Sequence, residues 1–298
     1  MRLTSPNEIK ALMERHGLRF SKGLGQNLLI EPSVPRRIAE AGCEGGGEGL
    51  AVLEVGPGVG CLTSELAQRA ERVLAVELDR GLLPVLAETL AGCPNAEVVQ
   101  GDALKTDLAA LLREKCPGMR YRVCANLPYN VTTPLLAKFI DAGIFEQITV
   151  MIQREVALRL TAAPGTPDYG AFSLYLNWHC EAERLFDVPP ECFMPRPKVT
   201  SSVVRLRLRA EKPCPVRDEA LEKQLSFVGW VEAGEVYRLC AERDISVSTI
   251  RRARVALGLK TLYIGNQPNR KNYWYQPELE EASVVADITN QNQQIQLA

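Results

Sequence analysis

The stretch Leu50-Ala-Val-Leu-Glu-Val-Gly-Pro-Gly-Val-Gly60 decides the fold. Its first half, Leu50–Val55, is a nearly unbroken apolar run of the kind that forms a strand covered on both faces. Its second half carries Gly56, Gly58 and Gly60, which let the backbone turn sharply and approach a ligand closely. Leu62–Arg69 then shows helical patterning, so the segment reads as strand, glycine turn, helix. The same alternation continues outward. Arg72–Glu77 reads as a strand, Gly81–Leu90 as a helix, Glu97–Gln100 as a short strand and Leu108–Lys115 as a helix. Tyr121–Ala125 is extended, Thr133–Ile140 helical and Ile148–Gln153 extended again. Strand and helix alternating at this spacing predict an α/β domain with a mostly parallel sheet and helices on both faces.

Breakers set the boundaries. Gly42–Gly49 is a flexible lead-in to the first of these strands, Pro164–Pro167 interrupts the chain after a helix, and Val188–Pro197 is a proline-rich loop. Thr200–Leu208 alternates in the manner of a last strand. Beyond Pro213–Pro215 helical patterns take over, so residues 1–209 are expected to form the main domain and 216–284 a small, mainly helical one. The polar, Gln/Asn-rich end, 285–298, is expected to be disordered.

Composition excludes several kinds of chemistry. The nine cysteines are scattered with no Cys-x-x-Cys pair, which argues against a disulfide framework or a zinc site. With His16 and His179 as the only histidines, a His-based metal cluster or a Ser-His-Asp triad is not expected, and no metal is assigned. No apolar run is long enough for a bilayer, and Met1–Lys10 lacks the apolar stretch of a signal peptide, so a cytoplasmic protein is expected. Net charge is −1, so any nucleic-acid binding must use a local basic face; Arg15, Arg19, Lys22, Arg154 and Arg159 are the candidates, against plain solvated surface.

The register of the glycines selects the ligand. A dinucleotide fingerprint would put its last glycine at position 61, where Cys61 stands. An acidic residue followed by glycines at 56, 58 and 60 is the pattern of S-adenosyl-L-methionine enzymes, in which the loop lies beside methionine and ribose rather than a pyrophosphate; an ordinary tight turn fits the loop alone. The next strand ends in Val76-Glu77-Leu78-Asp79, where a carboxylate can accept from ribose hydroxyls. Glu77, at the strand terminus, is the choice, with Asp79 assigned to capping the following helix. Asp102, in Gln100-Gly101-Asp102-Ala103, can accept from the cofactor's adenine amine, or serve as another helix cap. Three such signals at successive strand ends of one sheet favour a binding site.

Asn126-Leu127-Pro128-Tyr129 ends the fourth strand and matches the Asn/Asp-x-Pro-Tyr/Phe motif of methyltransferases that act on exocyclic amines of nucleobases. Such an amine is a poor nucleophile because its lone pair is delocalised into the ring. The Asn126 side-chain oxygen and the Leu127 carbonyl can hold its two N–H groups and steer the nitrogen towards the methyl. Pro128 stiffens the turn, and Tyr129 offers a face for an extruded base. An Asx-type turn with a structural tyrosine also fits the tetrapeptide in isolation.

Further segments carry a family resemblance. Ser21-Lys22-Gly23-Leu24-Gly25-Gln26-Asn27-Leu28-Leu29, Gln153-Arg154-Glu155-Val156-Ala157, Val188-Pro189-Pro190 and Phe193-Met194-Pro195-Arg196-Pro197-Lys198-Val199-Thr200-Ser201 together resemble the small-subunit ribosomal RNA adenine dimethyltransferases, over residues about 10–208. The resemblance implies a Rossmann-like class I S-adenosylmethionine methyltransferase domain that dimethylates N6 of two adjacent adenosines near the 3′ end of small-subunit rRNA. Its partner would be the immature small ribosomal subunit, with the protein acting as a monomer. It assigns cofactor contacts to Asn27 and Leu29, with Leu28 standing where the family has phenylalanine, and places Phe193 by the target base as a second stacking face. Lys198 would then meet RNA phosphate, alongside Lys22 and Arg154. Large-subunit rRNA methylases share most of these motifs. They, a DNA adenine methyltransferase, and a non-catalytic nucleic-acid binder on the same fold are the alternatives.

The resemblance stops near residue 221, and the family's basic Gln-Arg-Arg-Lys-Thr-Leu segment is missing. Instead Gly234–Asp244 and Ser248–Gly258 read as helix, turn and basic helix, followed by a β-wing of Lys260–Ile264 and Asn272–Tyr275. This resembles a winged-helix tail of phage-type replication and primase proteins. A natural fusion with Arg251, Arg252 and Arg254 on phosphates, a plain three-helix unit and a chimeric sequence all fit; the abrupt switch favours the chimera.

Overall fold

Every position of Leu50–Val55 is buried, so this strand must be covered on both faces, and the sheet grows from it in both directions. In the computed structural model, residues 2–18, 27–163, 166–210, 230–232, 234, 238, 260–264 and 271–275 are described. The chain forms two units, Met1–Asp168 with His179–Glu211 and Tyr169–Trp178 with Lys212–Ala298.

In the first unit the elements run α1 (Pro6–Arg15), β1 (Leu28–Leu29), α2 (Ser33–Gly42), β2 (Leu50–Val55), α3 (Cys61–Ala67), β3 (Arg72–Glu77), α4 (Leu82–Thr89) and β4 (Ala96–Gln100). There follow α5 (Leu108–Lys115), β5 (Arg120–Asn126), α6 (Thr132–Asp141), β6 (Phe145–Gln153) and α7 (Arg154–Leu160). After α8 (Ala171–His179), which belongs to the second unit up to Trp178, come β7 (Cys180–Val188), β8 (Phe193–Met194) and β9 (Ser201–Leu208). The large sheet has the order β4-β3-β2-β5-β6-β9-β7. Strands β4 to β6 are parallel, and β9 and β7 join antiparallel. The predicted Rossmann-like α/β class is the observed one, with β2, β3 and α5 at the bounds expected from sequence.

Differences have physical reasons. The predicted Val188–Pro197 loop contains a 3-10 turn, Pro190–Cys192, and the short strand β8, which pairs antiparallel with β1 through Leu28↔Met194 and Leu29↔Phe193. Two residues per strand are too few for a period to show. Strand β7 escaped because it is a charged edge with a register shift between Arg184 and Phe186, which breaks the alternation. Its cohesion with β9 comes from opposed charges: Glu183 sits across from Arg205 and pairs with it at 2.7 Å, and Glu181 pairs with Arg209 at 2.8 Å.

Helix α2 packs over β5 and β6, and its last carbonyls meet buried side chains instead of water. Arg122 donates to the Gly42 carbonyl at 3.4 Å and to the Glu44 carbonyl just beyond the helix at 2.7 Å, and the Gln147 amide donates to the Ala41 carbonyl at 3.0 Å. These bonds satisfy helix-end acceptors, and the guanidinium also complements the negative end of the helix. The approach is close enough that a Cβ at Gly42 would lie 2.5 Å from Cys124 Sγ. Gly42→Ala is therefore expected to destabilise the protein by about 1–3 kcal/mol through overpacking. Urea unfolding checks this, and Cys124→Ala in the same chain should recover part of the loss; equal stability of Gly42→Ala and wild type would refute the contact.

In the second unit, β10 (Trp230–Glu232), β11 (Lys260–Ile264) and β12 (Lys271–Tyr275) form an antiparallel sheet of order β10-β12-β11. Strands β11 and β12 fall where Lys260–Ile264 and Asn272–Tyr275 are expected to be extended, while the expected helices Gly234–Asp244 and Ser248–Gly258 and the tail 285–298 lie outside the described residues, apart from Gly234 and Arg238.

Candidate active site

Connections leave the carboxyl end of β2 towards β3 on one side, while β5 lies on the other, so a crevice opens there. The cleft opens to solvent at the ends of these strands. Its wall includes Asn27, Leu29, Glu54, Gly56, Gly58, Glu77, Asp102, Asn126, Leu127, Pro128 and Tyr129. All the cofactor positions expected from sequence, and the whole Asn126–Tyr129 turn, thus meet in one place.

The glycine loop has a left-handed backbone, with φ of 72° at Gly56 and 61° at Gly58. A Cβ at Gly58 would come within 2.9 Å of Leu28 Cδ2, whereas one at Gly56 would meet nothing within 4 Å. Gly58 therefore serves close packing and Gly56 keeps space open.

Three carboxylates face this space in different states. Glu54 is 1% exposed, and its Oε2 has no hydrogen-bond partner. Burial pushes its carboxyl up to about 8, opposed by the Thr63 hydroxyl and reinforced by the neighbouring Glu77. Glu77 is also pushed up by burial, although the Asp79 N–H donates to its Oε1 at 2.7 Å. Asp79 itself accepts from the Gly81 N–H at 2.9 Å in the turn before α4, close to the capping role expected for it. Asp102 accepts from the Leu104 N–H at 3.0 Å, so it serves its own turn while lining the cleft. Sequence reading had passed over Glu54 as a site residue. Its signal was a single acid inside an otherwise apolar buried strand.

At the other wall, the Asn126 amide donates from Nδ2 to the Asn27 carbonyl at 3.2 Å. Only a nitrogen can face a carbonyl there, so the bond fixes which way the amide points and turns Oδ1 into an acceptor for something else. The Leu127 N–H donates to the Met151 carbonyl at 3.2 Å and anchors the turn to β6. Tyr129 is held by a 2.6 Å hydrogen bond between its hydroxyl and that of Ser201, which is fully buried at the start of β9. Burial pushes the Tyr129 hydroxyl up despite that bond, so it stays protonated. Ser201 ends the Phe193–Ser201 motif, and its role here depends on Tyr129, 72 residues away in sequence.

Phe193 is not where it was expected. It is 3% exposed, packs in the core cluster with Leu29 and Val188, and is absent from the cleft wall. Its pairing with Leu29 across β1 and β8 turns the ring inward, so it backs the wall instead of offering a stacking face. Lys22 lies outside the described residues. Lys198 is exposed between β8 and β9. Arg154 is half exposed, and its Nε is 3.3 Å from Asp187, which also accepts from Arg184 at 2.8 Å and Ser202 at 2.6 Å. Burial works against the ionised Asp187, but the Ser202 hydroxyl and the two guanidinium groups hold its carboxyl below the usual range. Asp187 thus pairs with both arginines and ties α7 to the edge strand β7.

Comparison with known proteins follows the same lines. Residues 17–225 match the family described as ribosomal RNA adenine dimethylase. The ribosomal RNA small subunit methyltransferase A of Alkaliphilus oremlandii is 46% identical over 206 residues, 69% of this chain and 71% of that protein. Among solved structures, the 23S rRNA methyltransferase ErmE is 34% identical with a TM-score of 0.57, covering 66% of this chain and 75% of that one. A dimethyladenosine transferase from Plasmodium falciparum is 28% identical with a TM-score of 0.53, covering 61% of this chain and 63% of that one. The matched stretch contains β1 to β9 and every residue of the cleft wall, and with it the chain belongs to the ribosomal RNA adenine dimethylase family.

Proposed function

We propose that the protein transfers methyl groups from S-adenosyl-L-methionine to N6 of adenines in ribosomal RNA, its substrate being two adjacent adenosines near the 3′ end of the small-subunit RNA in the immature subunit. The observation that carries this is the fixed Asn126 amide, whose Oδ1 is left as an acceptor at the cleft beside the Leu127 carbonyl.

The donor set fits the cofactor. S-adenosyl-L-methionine is cationic at sulfur and at its amine, and the cleft presents Glu54, Glu77 and Asp102 with a buried, unpartnered Glu54 oxygen. Open space at Gly56 admits a bulky group against the backbone. When bound, the cofactor supplies an electrophilic methyl. Glu77 and Asp102 would orient its ribose and adenine, and Asn27 and Leu29 would close the wall opposite the glycine loop.

Asn126 Oδ1 and the Leu127 carbonyl would accept the two N–H bonds of the target amine and orient its nitrogen towards the donor. The Tyr129 ring, fixed by Ser201, stacks on the flipped base. No base is needed before transfer, because the proton leaves from the cationic product. Phe193 acts by keeping Leu29 in place, and Lys22, Arg154 and Lys198 contact phosphates on the RNA. Among the described residues no helix is long and apolar enough to cross a membrane, which agrees with action on ribosomal particles in the cytoplasm.

A large-subunit target is the second reading, favoured by the likeness to ErmE. Labelled methyl transfer to small subunits lacking adenine dimethylation, with large subunits in parallel, separates the two. Label in small subunits alone, recovered as N6-dimethyladenosine, supports the proposal, and label in large subunits alone overturns it.

Asn126→Ala should lower turnover by at least ~100-fold, the scale of losing aligned acceptors, while cofactor affinity stays within about tenfold. Turnover near wild type would remove Asn126 from the mechanism. The Glu54 carboxyl has a pH consequence. Between its ordinary 4.5 and about 8 the unfolded chain releases this proton and the folded one keeps it. Stability from this group is therefore full below 4.5 and falls as pH rises to 8, by up to about 1.4 kcal/mol per unit. Unfolding of ligand-free wild type and Glu54→Gln at pH values from 5 to 8 should show a shallower decline in the variant; parallel curves would contradict the assignment.

A further inference from the structure

The acids of the cleft are satisfied unequally. Among the described residues its wall carries Glu54, Glu77 and Asp102 and no Lys, Arg or His. Asp102 accepts from the Leu104 N–H at 3.0 Å and has the exposed Lys105 at 3.7 Å, outside the wall. Glu77 accepts from the Asp79 N–H at 2.7 Å. Glu54 is the most deeply buried of the three, and its Oε2 has no hydrogen-bond partner. It has lost water and gained little in return, a costly state for an ionised carboxylate.

What packs around Glu54 decides its ionisation. From β3 it faces Glu77, a like charge. From α3 come the Thr63 hydroxyl, which favours the charged form, and the Cys61 thiol; from β5 comes the Cys124 thiol. Burial pushes Cys61 up to about 12 and Cys124 well above its ordinary value, so both thiols stay neutral and supply no counter-charge. Desolvation and a like charge both act against the anion, and one hydroxyl does not offset them. Glu54 therefore holds its proton in the ligand-free protein at neutral pH, in agreement with a carboxyl raised to about 8.

We propose that Glu54 is a proton-linked counter-charge for the cofactor: it is neutral in the ligand-free protein and ionises when S-adenosyl-L-methionine binds, so that binding releases a proton to solvent. The inference rests on the cofactor reading given above. The O–H bond of Glu54 breaks, its electron pair stays on the carboxylate, and the proton passes to the buffer. A positive group of the ligand takes the proton's place, so the net charge at this position is unchanged. A neutral Glu54 also spares Glu77 the repulsion of a second anion until that cation arrives. Affinity then follows pH, because releasing a proton raises the logarithm of the affinity by about one for each pH unit below the carboxyl's value.

The test is calorimetric titration of the full chain with S-adenosyl-L-methionine, in pairs of buffers whose ionisation heats differ enough to count protons. Wild type should release about one proton per cofactor at about pH 6 to 7, where the ligand's own amine stays protonated free and bound. Release should fade above about pH 8, and affinity should rise up to about tenfold per pH unit below it. Glu54→Gln has the shape and neutrality of the protonated side chain, so it should fold like wild type, yet release less than about 0.2 proton at the same pH. Glu77→Gln should keep most of the release at about pH 6, whatever it does to affinity. S-adenosyl-L-homocysteine keeps the amine and lacks the sulfonium. Release with both ligands supports the inference with the ammonium beside Glu54, and release with S-adenosyl-L-methionine alone supports it with the sulfonium there. Cofactor binding without proton release, or with release as large in Glu54→Gln, overturns the inference and leaves the cofactor reading standing. No binding at any pH rejects that reading, and the inference with it.

Discussion

Burial of β2 on both faces is the constraint from which the rest follows. A strand with no wet side needs helices above and below it, and the connections to its neighbours must leave in opposite directions. That divergence opens the cleft at the carboxyl end of β2, and the glycine loop turns there because the chain must reverse within a few residues. The site is therefore a consequence of the sheet's topology. Its chemistry comes from which side chains happen to stand at four strand ends.

Those side chains are held by bonds that leave one functional atom over. Asn126 gives its amide nitrogen to Asn27 and keeps its oxygen. Tyr129 gives its hydroxyl to Ser201 and keeps its ring. Glu54 is buried with one oxygen unpartnered and a carboxyl raised to about 8, a state that a cationic ligand would relieve. In each case a polar group is held where it fixes an orientation, the usual sign of a site prepared in advance.

The two short strands β1 and β8 tie this arrangement together. They bring Leu29 and Phe193, far apart in sequence, into one pair, and so connect the cleft wall to the loop that leads into β9 and Ser201. Arg154 and Arg184 gather on Asp187, tying α7 to the edge strand β7.

Sequence alone determined the α/β class, the positions of β2, β3 and α5, the glycine loop, the acidic strand ends and the Asn126–Tyr129 turn. These are local signals: hydrophobic period, glycine spacing and a tetrapeptide whose chemistry is contained in itself. The extended segments β11 and β12 were legible for the same reason. Tertiary structure decided what depends on distant partners. Strand β7 reads as polar because its stability comes from opposed charges on β9 and its alternation is broken by a bulge. Phe193 carries a motif's signature yet turns inward, because its facing direction is set by pairing with β1. Glu54 looks like one letter of a glycine motif until burial shows that its carboxyl has lost water without gaining a full set of partners. Period and spacing report on a residue's own element; direction, burial and ionisation are fixed by whatever the fold brings up against it.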